Sequence, residues 1–129
     1  MQNRLIELNE DNIKAEDEIL LEENNYYNVQ YACWFDVDKY FGTNTNDDED
    51  TWINFYVNFY PKLVDDKVIW TLKPVVILDG KDTCEELDWE LTQEEETLLL
   101  MLASKHCVDE CGLTLTELYY SDVQDGCFY

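Results

Sequence analysis

Hydrophobic and polar side chains alternate along the middle of the chain, in the pattern of strands that bury one face. Every second residue from 27 to 37 is apolar, and the alternation returns between 51 and 60. A period of two places successive side chains on opposite faces of a sheet. We therefore predict two strands joined by an exposed acidic loop at 40–50, and we predict that Pro61 ends the second strand.

Two further β segments follow. Residues 67–78 are rich in β-branched and aromatic side chains around Pro74, which favours an edge strand or a bulge, and Asp79-Gly80 marks a turn. From Glu85 to Leu91 acidic and apolar residues alternate, which predicts a last strand with an acidic outer face. The acidic first 25 residues fit neither period. There we predict a weak element near Leu5, a solvated connection and an apolar contact at 19–21.

From residue 92 the apolar spacing becomes helical. Thr92 with Glu95 forms a capping box, an apolar stripe runs from residue 98 to 111, and Gly112 is a stop signal. Thr114 with Glu117 repeats the capping box for a shorter helix. Strands joined by short connections and followed by helices predict an α+β fold, an antiparallel β-meander of about four strands with one or two C-terminal helices packed on one face.

A chain of 129 residues suits one domain with one core. Within it we expect an acidic N-terminal segment at 1–25, the meander at 26–91 and the helical part at 92–125. Thirty acidic residues against eight basic ones leave a net charge of -22, yet 46% of the residues are hydrophobic, which supports a folded domain. Such a charge repels a phosphate backbone and favours basic partners. Because the sequence shows no signal peptide or membrane-spanning run, we expect a cytoplasmic protein.

Catalytic and metal-binding chemistry finds little support in the sequence. The chain has one histidine, His106, and no glycine-rich phosphate loop, so we expect no enzymatic activity and no cofactor. His106, Cys107 and Cys111 lack the second ligand pair of a structural zinc site. The alternating oxygen ligands at 44–50 lack the glycine and glutamate of an EF-hand loop. Divalent-cation binding by the loop Asp47, Asp48, Glu49, Asp50 stays open as an alternative.

The acidic residues predict an interaction surface. Alternate strand residues lie about 6.6 Å apart, so carboxylates on one strand face form a row that can imitate a phosphate backbone. A merely solvated acidic face is the alternative. The predicted row consists of Glu86, Asp88 and Glu90, extended by Asp36, Asp38, Asp47, Asp48, Glu49, Asp50, Glu94 and Glu95.

A second candidate surface is aromatic. Trp52, Tyr56 and Tyr60 share the polar face of the strand at 51–60. This face is either covered by a helix or forms an aromatic platform for a partner, because tyrosine and tryptophan are frequent interface hot spots.

In size, charge and lack of a catalytic motif, the chain resembles the small acidic inhibitors of phages and mobile elements, including the anti-CRISPR and anti-restriction DNA mimics. The resemblance is one of composition and includes the acidic clusters 16–18, 47–50 and 94–96. It implies a non-enzymatic inhibitor that binds the basic nucleic-acid-binding surface of a defence nuclease or a similar protein. The alternative is an acidic protein-protein interaction or assembly module, monomeric or dimeric, without nucleic-acid mimicry.

Overall fold

The computed structural model describes residues 8–33, 52–79, 84–87 and 89–126. These residues form one antiparallel sheet of five strands in chain order, followed by two helices. This confirms the predicted α+β meander, with slightly more strands than the four expected. The elements are β1 (Ile13–Glu22), β2 (Tyr26–Cys33), β3 (Trp52–Val64), β4 (Lys67–Asp79), β5 (Cys84–Leu87), α1 (Gln93–Cys111) and α2 (Leu115–Gln124).

β1 forms where the sequence predicts a solvated acidic connection, so that prediction is wrong. The register between β1 and β2 shifts between Glu16 and Leu20, which leaves residues 17–19 opposite Val29. Asp17 in this bulge has a φ of 63°. The bulge inserts exposed acidic residues into the strand and so interrupts the alternation that would have revealed it. The element predicted near Leu5 lies outside the described residues.

Neither proline ends its strand. β3 continues through Pro61 to Val64, and β4 runs unbroken through Pro74. The pairing of β2 with β3 reaches Phe59, and that of β5 with β4 begins at Val76. Each proline therefore lies where the described ladder continues on one side only. The other side of the strand has no partner there among the described residues and needs no N–H donor, so proline is tolerated. The predicted end of the strand at Pro61 is corrected accordingly.

β3 and β4 are joined by a two-residue turn. Asp65 and Asp66 have φ angles of 51° and 65°, as a type I′ hairpin turn requires. The pairing then continues from Val64 opposite Lys67 to Trp52 opposite Asp79. Residues 62–64, which follow the predicted end of the strand at Pro61, therefore belong to β3.

β5 is shorter than predicted, because it ends at Leu87 rather than Leu91. The chain then leaves the sheet and places the Trp89 side chain, 8% exposed, in the core. The Trp89 ring meets the Phe55 ring edge-on, with centroids 5.0 Å apart. This buried indole lies between the end of β5 and the start of α1.

The core lies between one face of the sheet and the helices. The apolar faces predicted at 27–33 and 53–59 both point inward, as the buried Tyr27, Val29, Tyr31, Phe55, Val57 and Phe59 show. Leu99, Ala103 and Cys107 of α1 complete the core at intervals of four residues. Met101 and Val108, expected in the apolar stripe, are 43% and 42% exposed, so the buried stripe is narrower than predicted.

Both predicted capping boxes are present. Thr92 Oγ1 accepts from the Glu95 N–H at 3.1 Å, and Glu95 Oε1 accepts from the Thr92 N–H at 3.0 Å. Thr114 and Glu117 repeat this geometry at α2, and the hydrogen bonds with Thr114 hold the pKa of Glu117 below its usual value. Gly112 ends α1 with a φ of 80° and donates its N–H to the Val108 carbonyl.

Side chains from the sheet fix the helices on its inner side. Tyr31 Oη donates to the Leu99 carbonyl of α1 at 2.7 Å, and Tyr27 Oη donates to Asp122 Oδ2 of α2 at 2.5 Å. Burial raises the pKa of Tyr31 well above its usual value, which keeps this hydroxyl a donor. None of the described helices is both long and apolar enough to cross a membrane.

Candidate interaction surfaces

The ladder registers sort the strand residues onto two faces. The face turned away from the helices is here called the outer face. It comprises the even-numbered residues of β1, β2, β5 and of β3 from residue 54, together with the odd-numbered residues of β4, and it excludes the bulge at 17–19. Residues 89–126, which include α1 and α2, are here called the helix layer.

Positive and negative charges balance on the outer face. Four of the five lysines in the described part of the chain lie there, together with four carboxylates. The alternation of side chains along each strand explains this distribution, because it places all lysines of the β3–β4 hairpin on the same face. The lysines are Lys14, Lys62, Lys67 and Lys73, and the carboxylates are Glu16, Glu22, Asp79 and Glu86.

The helix layer has the opposite character. It holds nine acidic residues against the single lysine Lys105. The carboxylates stand mainly at the two ends of α1 and along α2, whereas the exposed middle of α1 presents Thr97, Met101 and Lys105. The acidic residues are Glu90, Glu94, Glu95, Glu96, Asp109, Glu110, Glu117, Asp122 and Asp125.

Aromatic rings and amides occupy the centre of the outer face. The Tyr26 and Tyr60 rings lie 4.8 Å apart between centroids, and Lys73 Nζ lies 4.8 Å from the centroid of the Tyr60 ring. Asn28 Nδ2 donates to Asn58 Oδ1 at 2.8 Å in the neighbouring row. These contacts between β2, β3 and β4 show that their outer side chains share one surface.

The tyrosines of the predicted aromatic platform are partly exposed to solvent. Tyr56 and Tyr60 are each half-buried, and they lie on the outer face, opposite the side on which the helices pack. Of the two alternatives for this face, cover by a helix does not apply to the described residues. The side chain of Trp52 lies outside them.

The predicted acidic row is not formed as one strand face. Glu86 belongs to the outer face of β5 opposite Ile77, whereas Glu90 follows the end of the strand at Leu87. The two side chains therefore do not continue each other at strand spacing. Both are exposed. The other predicted members Asp36, Asp38, Asp47, Asp48, Glu49, Asp50 and Asp88 lie outside the described residues.

Glu94 and Glu95 have different roles, although both were predicted to contact a partner. Glu94 is exposed in the first turn of α1. Glu95 is only 2% exposed, and its Oε2 accepts from the Leu8 N–H at 3.3 Å while Oε1 caps the helix. Glu95 is therefore a structural carboxylate that ties the N-terminal segment to α1, and its assignment to the interaction surface is corrected.

An acidic region at the C-terminal end of α1 was missed by the sequence analysis. His106 Nε2–H donates to the Asp17 carbonyl in the β1 bulge at 2.6 Å, and Glu110 Oε1 lies 3.4 Å from the same nitrogen. This contact brings the backbone of the bulge, which carries the exposed Asp17 and Glu18, to the end of α1 that carries Glu110. The helical spacing of 106 and 110 is visible in the sequence, but the bulge that receives the histidine is not.

The thiols form no metal site in the described residues, where no group of three or more potential ligands comes together. Burial and the neighbouring Cys111 thiol raise the pKa of Cys107 to about 12, and the two sulfur atoms lie 3.7 Å apart. Burial, followed by the charge of Glu16, raises the pKa of Cys33 to about 12. Thiols with such pKa values are poor nucleophiles at neutral pH.

Comparison with known protein families, curated proteins and solved structures finds no match for this chain.

Proposed function

We propose that this chain is a non-enzymatic acidic protein that binds the basic nucleic-acid-binding surface of another protein, such as a CRISPR or restriction nuclease, and excludes the nucleic acid. The charge of the helix layer carries this proposal, because eight carboxylates besides the buried Glu95 lie there with a single lysine. The corresponding location is the cytoplasm, where such a target acts.

The length of the helix layer suits a partner's basic surface that normally binds a nucleic acid. α1 has 19 residues, which corresponds to a length of about 28 Å. Duplex DNA rises about 3.4 Å per base pair, so this length matches about eight base pairs. Carboxylates at both ends of α1 would meet cations along such a stretch, with Glu90 and Glu94 near one end and Asp109 and Glu110 at the other.

Charge of this kind acts mainly on association. A concentrated negative field steers encounter with a basic surface and accelerates binding at low salt. It also acts selectively, since like charges keep nucleic acids and other acidic surfaces away. The proposal therefore requires steep salt dependence and competition by nucleic acid.

Carboxylates on the edge strands also have an ordinary structural role. Glu18 on β1 and Glu85 on β5 are exposed at the two edges of the sheet. Charges at such positions block edge-to-edge pairing with other chains. For this reason the helix layer, rather than the strand carboxylates, supports the proposed function.

A second candidate function follows from the outer face. An acidic assembly module, without nucleic-acid mimicry, would use the half-buried tyrosines and balanced charges of this face and keep the remaining carboxylates for solubility. Salt-insensitive self-association with no capture of nucleic-acid-binding proteins would favour this alternative.

The test is affinity capture from a bacterial lysate with the immobilised chain. One variant neutralises four helix-layer carboxylates: Glu90→Gln, Glu94→Gln, Asp109→Asn and Glu110→Gln. A matched control neutralises the four outer-face carboxylates: Glu16→Gln, Glu22→Gln, Asp79→Asn and Glu86→Gln. Circular dichroism of both variants serves as the control for correct folding.

We expect the unaltered chain and the outer-face control to retain nucleic-acid-binding proteins that duplex DNA or RNA, or about 0.5 M salt, displaces. The helix-layer variant should lose them. Equal retention by both variants, or retention that neither nucleic acid nor salt reduces, would contradict the proposed function.

A further inference from the structure

We propose that the outer face is a self-association surface, on which a second copy of this chain docks so that the two sheets lie back to back and both helix layers point outward. The pair would be two-fold symmetric, because one face meets the same face of its copy.

Charge restricts where two copies can meet. Each chain carries a net charge of -22, and such bodies repel each other over most approaches. Outside the outer face, seventeen of the described residues are acidic and only Lys105 is a lysine. The outer face, with four lysines and four carboxylates, is the described surface on which a second copy meets no net repulsion.

Apolar side chains on the same face supply the attraction. Leu20, Val64 and Ile69 all belong to the outer face and are 46%, 41% and 52% exposed. Half-buried Val75 and Ile77 lie between them and β5. These apolar side chains lie on a charge-balanced face, and their removal from water would favour association.

The area of the face is sufficient for a dimer. Each outward strand residue covers roughly 33 Å², from a strand spacing of about 4.8 Å and a repeat of about 6.8 Å. The outer face has about two dozen residues, which gives about 800 Å² per copy. A standard protein interface buries about the same area on each partner.

The distribution of charge selects one orientation. Lys62 and Lys67 lie near the β3–β4 turn, whereas Asp79 and Glu86 lie at the opposite end of the sheet. A two-fold axis perpendicular to the strands places the lysine end of one copy over the acidic end of the other. Lys67 then lies over the end of the sheet that carries Asp79 of the partner subunit and Glu86 of the partner subunit.

Sedimentation equilibrium of the purified chain across about 1 to 500 μM tests this assignment. We expect a concentration-dependent monomer-dimer equilibrium that Lys67→Glu weakens about tenfold or more. Lys105→Glu has the same change in charge but lies in the helix layer, so we expect it to leave the equilibrium unchanged within about twofold. Monomers at every concentration, or equal effects of both variants, would overturn the proposal.

A charge-swap experiment tests the orientation. Lys62→Glu/Lys67→Glu and Asp79→Lys/Glu86→Lys should each self-associate weakly, because like charges then meet across the interface. An equimolar mixture should form a mixed dimer, since every such contact becomes attractive again. Failure of the mixture to associate, with both variants folded by circular dichroism, would overturn this arrangement. Both experiments use pure protein, so their outcome is independent of whether the chain captures nucleic-acid-binding targets.

Discussion

The outer face and the helix layer lie on opposite sides of the same sheet and differ sharply in charge. The outer face balances four lysines with four carboxylates, whereas the helix layer sets nine carboxylates against one lysine. Over the described residues, charge is therefore distributed unevenly between the two surfaces. Strand parity gathers the lysines on the side that no described helix covers and leaves the other side strongly negative.

This difference separates two roles that net charge alone would merge. A surface with unopposed carboxylates suits a basic partner, and a balanced surface with apolar groups suits a neutral contact. The two faces of the sheet also differ in role, because the inner face forms the core that stabilises the fold and the half-exposed outer face is available for binding. Variants at neighbouring positions can therefore test each side independently.

The largest expected effect comes from the inner face. Phe55 is fully buried between the rings of Tyr31 and Trp89, whereas its neighbour Tyr56 is half-buried on the outer face. We expect Phe55→Ala to lower the free energy of unfolding by about 3–5 kcal/mol, because it leaves a cavity. Tyr56→Ala should cost about 1 kcal/mol or less. Urea denaturation measures both.

If Phe55→Ala and Tyr56→Ala lowered the free energy of unfolding equally, the assignment of the two faces would be wrong. Should the alanine variant be too unstable to measure, Phe55→Leu serves instead, with an expected loss of about 1 kcal/mol.

A smaller effect separates two adjacent glutamates of α1. Glu95→Ala removes the acceptor of the Leu8 and Thr92 N–H groups, so we expect a loss of about 2 kcal/mol in the free energy of unfolding. Glu94→Ala removes an exposed carboxylate and should stay within about 0.5 kcal/mol, apart from a small helix-dipole term. Thermal and urea unfolding compare the pair. A similar cost for both would show that the buried hydrogen bonds of Glu95 contribute nothing.

The smallest effect concerns charge repulsion itself. The last turn of α1 contains no basic residue, and Asp109 is exposed there. Asp109→Lys should raise the free energy of unfolding by about 0.5–1 kcal/mol at low salt, because it relieves repulsion and complements the helix dipole. Glu86→Lys on the balanced outer face should change it by less than about 0.5 kcal/mol.

Salt provides the control for this pair. The gain from Asp109→Lys should shrink as ionic strength rises to about 0.5 M, since added ions screen interactions between exposed charges. A gain that persists at high salt would assign the effect to packing or helix propensity rather than to charge.

Features that depend on nearby residues were predictable from the sequence. Both capping boxes and the stop at Gly112 follow from residues three or four positions apart, and the alternation at 53–59 specified the buried face of β3. The fold class followed from the order of such segments.

Features that depend on distant residues were not predictable. The bulge in β1 interrupts the apolar period, and its partner His106 lies 89 residues away. In the sequence, Glu95 cannot be distinguished from its acidic neighbours Glu94 and Glu96. Its structural role depends on the hydrogen bond from the N–H of Leu8, which lies 87 residues earlier. Lys62 lies on the outer face because β3 continues past Pro61. That continuation is possible because β2 stops pairing with β3 at Phe59, before the proline.

Near-surface electrostatic potential, measured by NMR relaxation with a cationic and an anionic paramagnetic cosolute, tests the separation of charge most directly. Methyl protons of Ile69 and Val75 report on the outer face, and those of Met101 and Val108 report on the helix layer. We predict a strongly negative potential at the helix-layer methyls and a much weaker one at the outer-face methyls. Equal potentials at both sets would contradict the charge separation on which the proposed function and the proposed dimer depend.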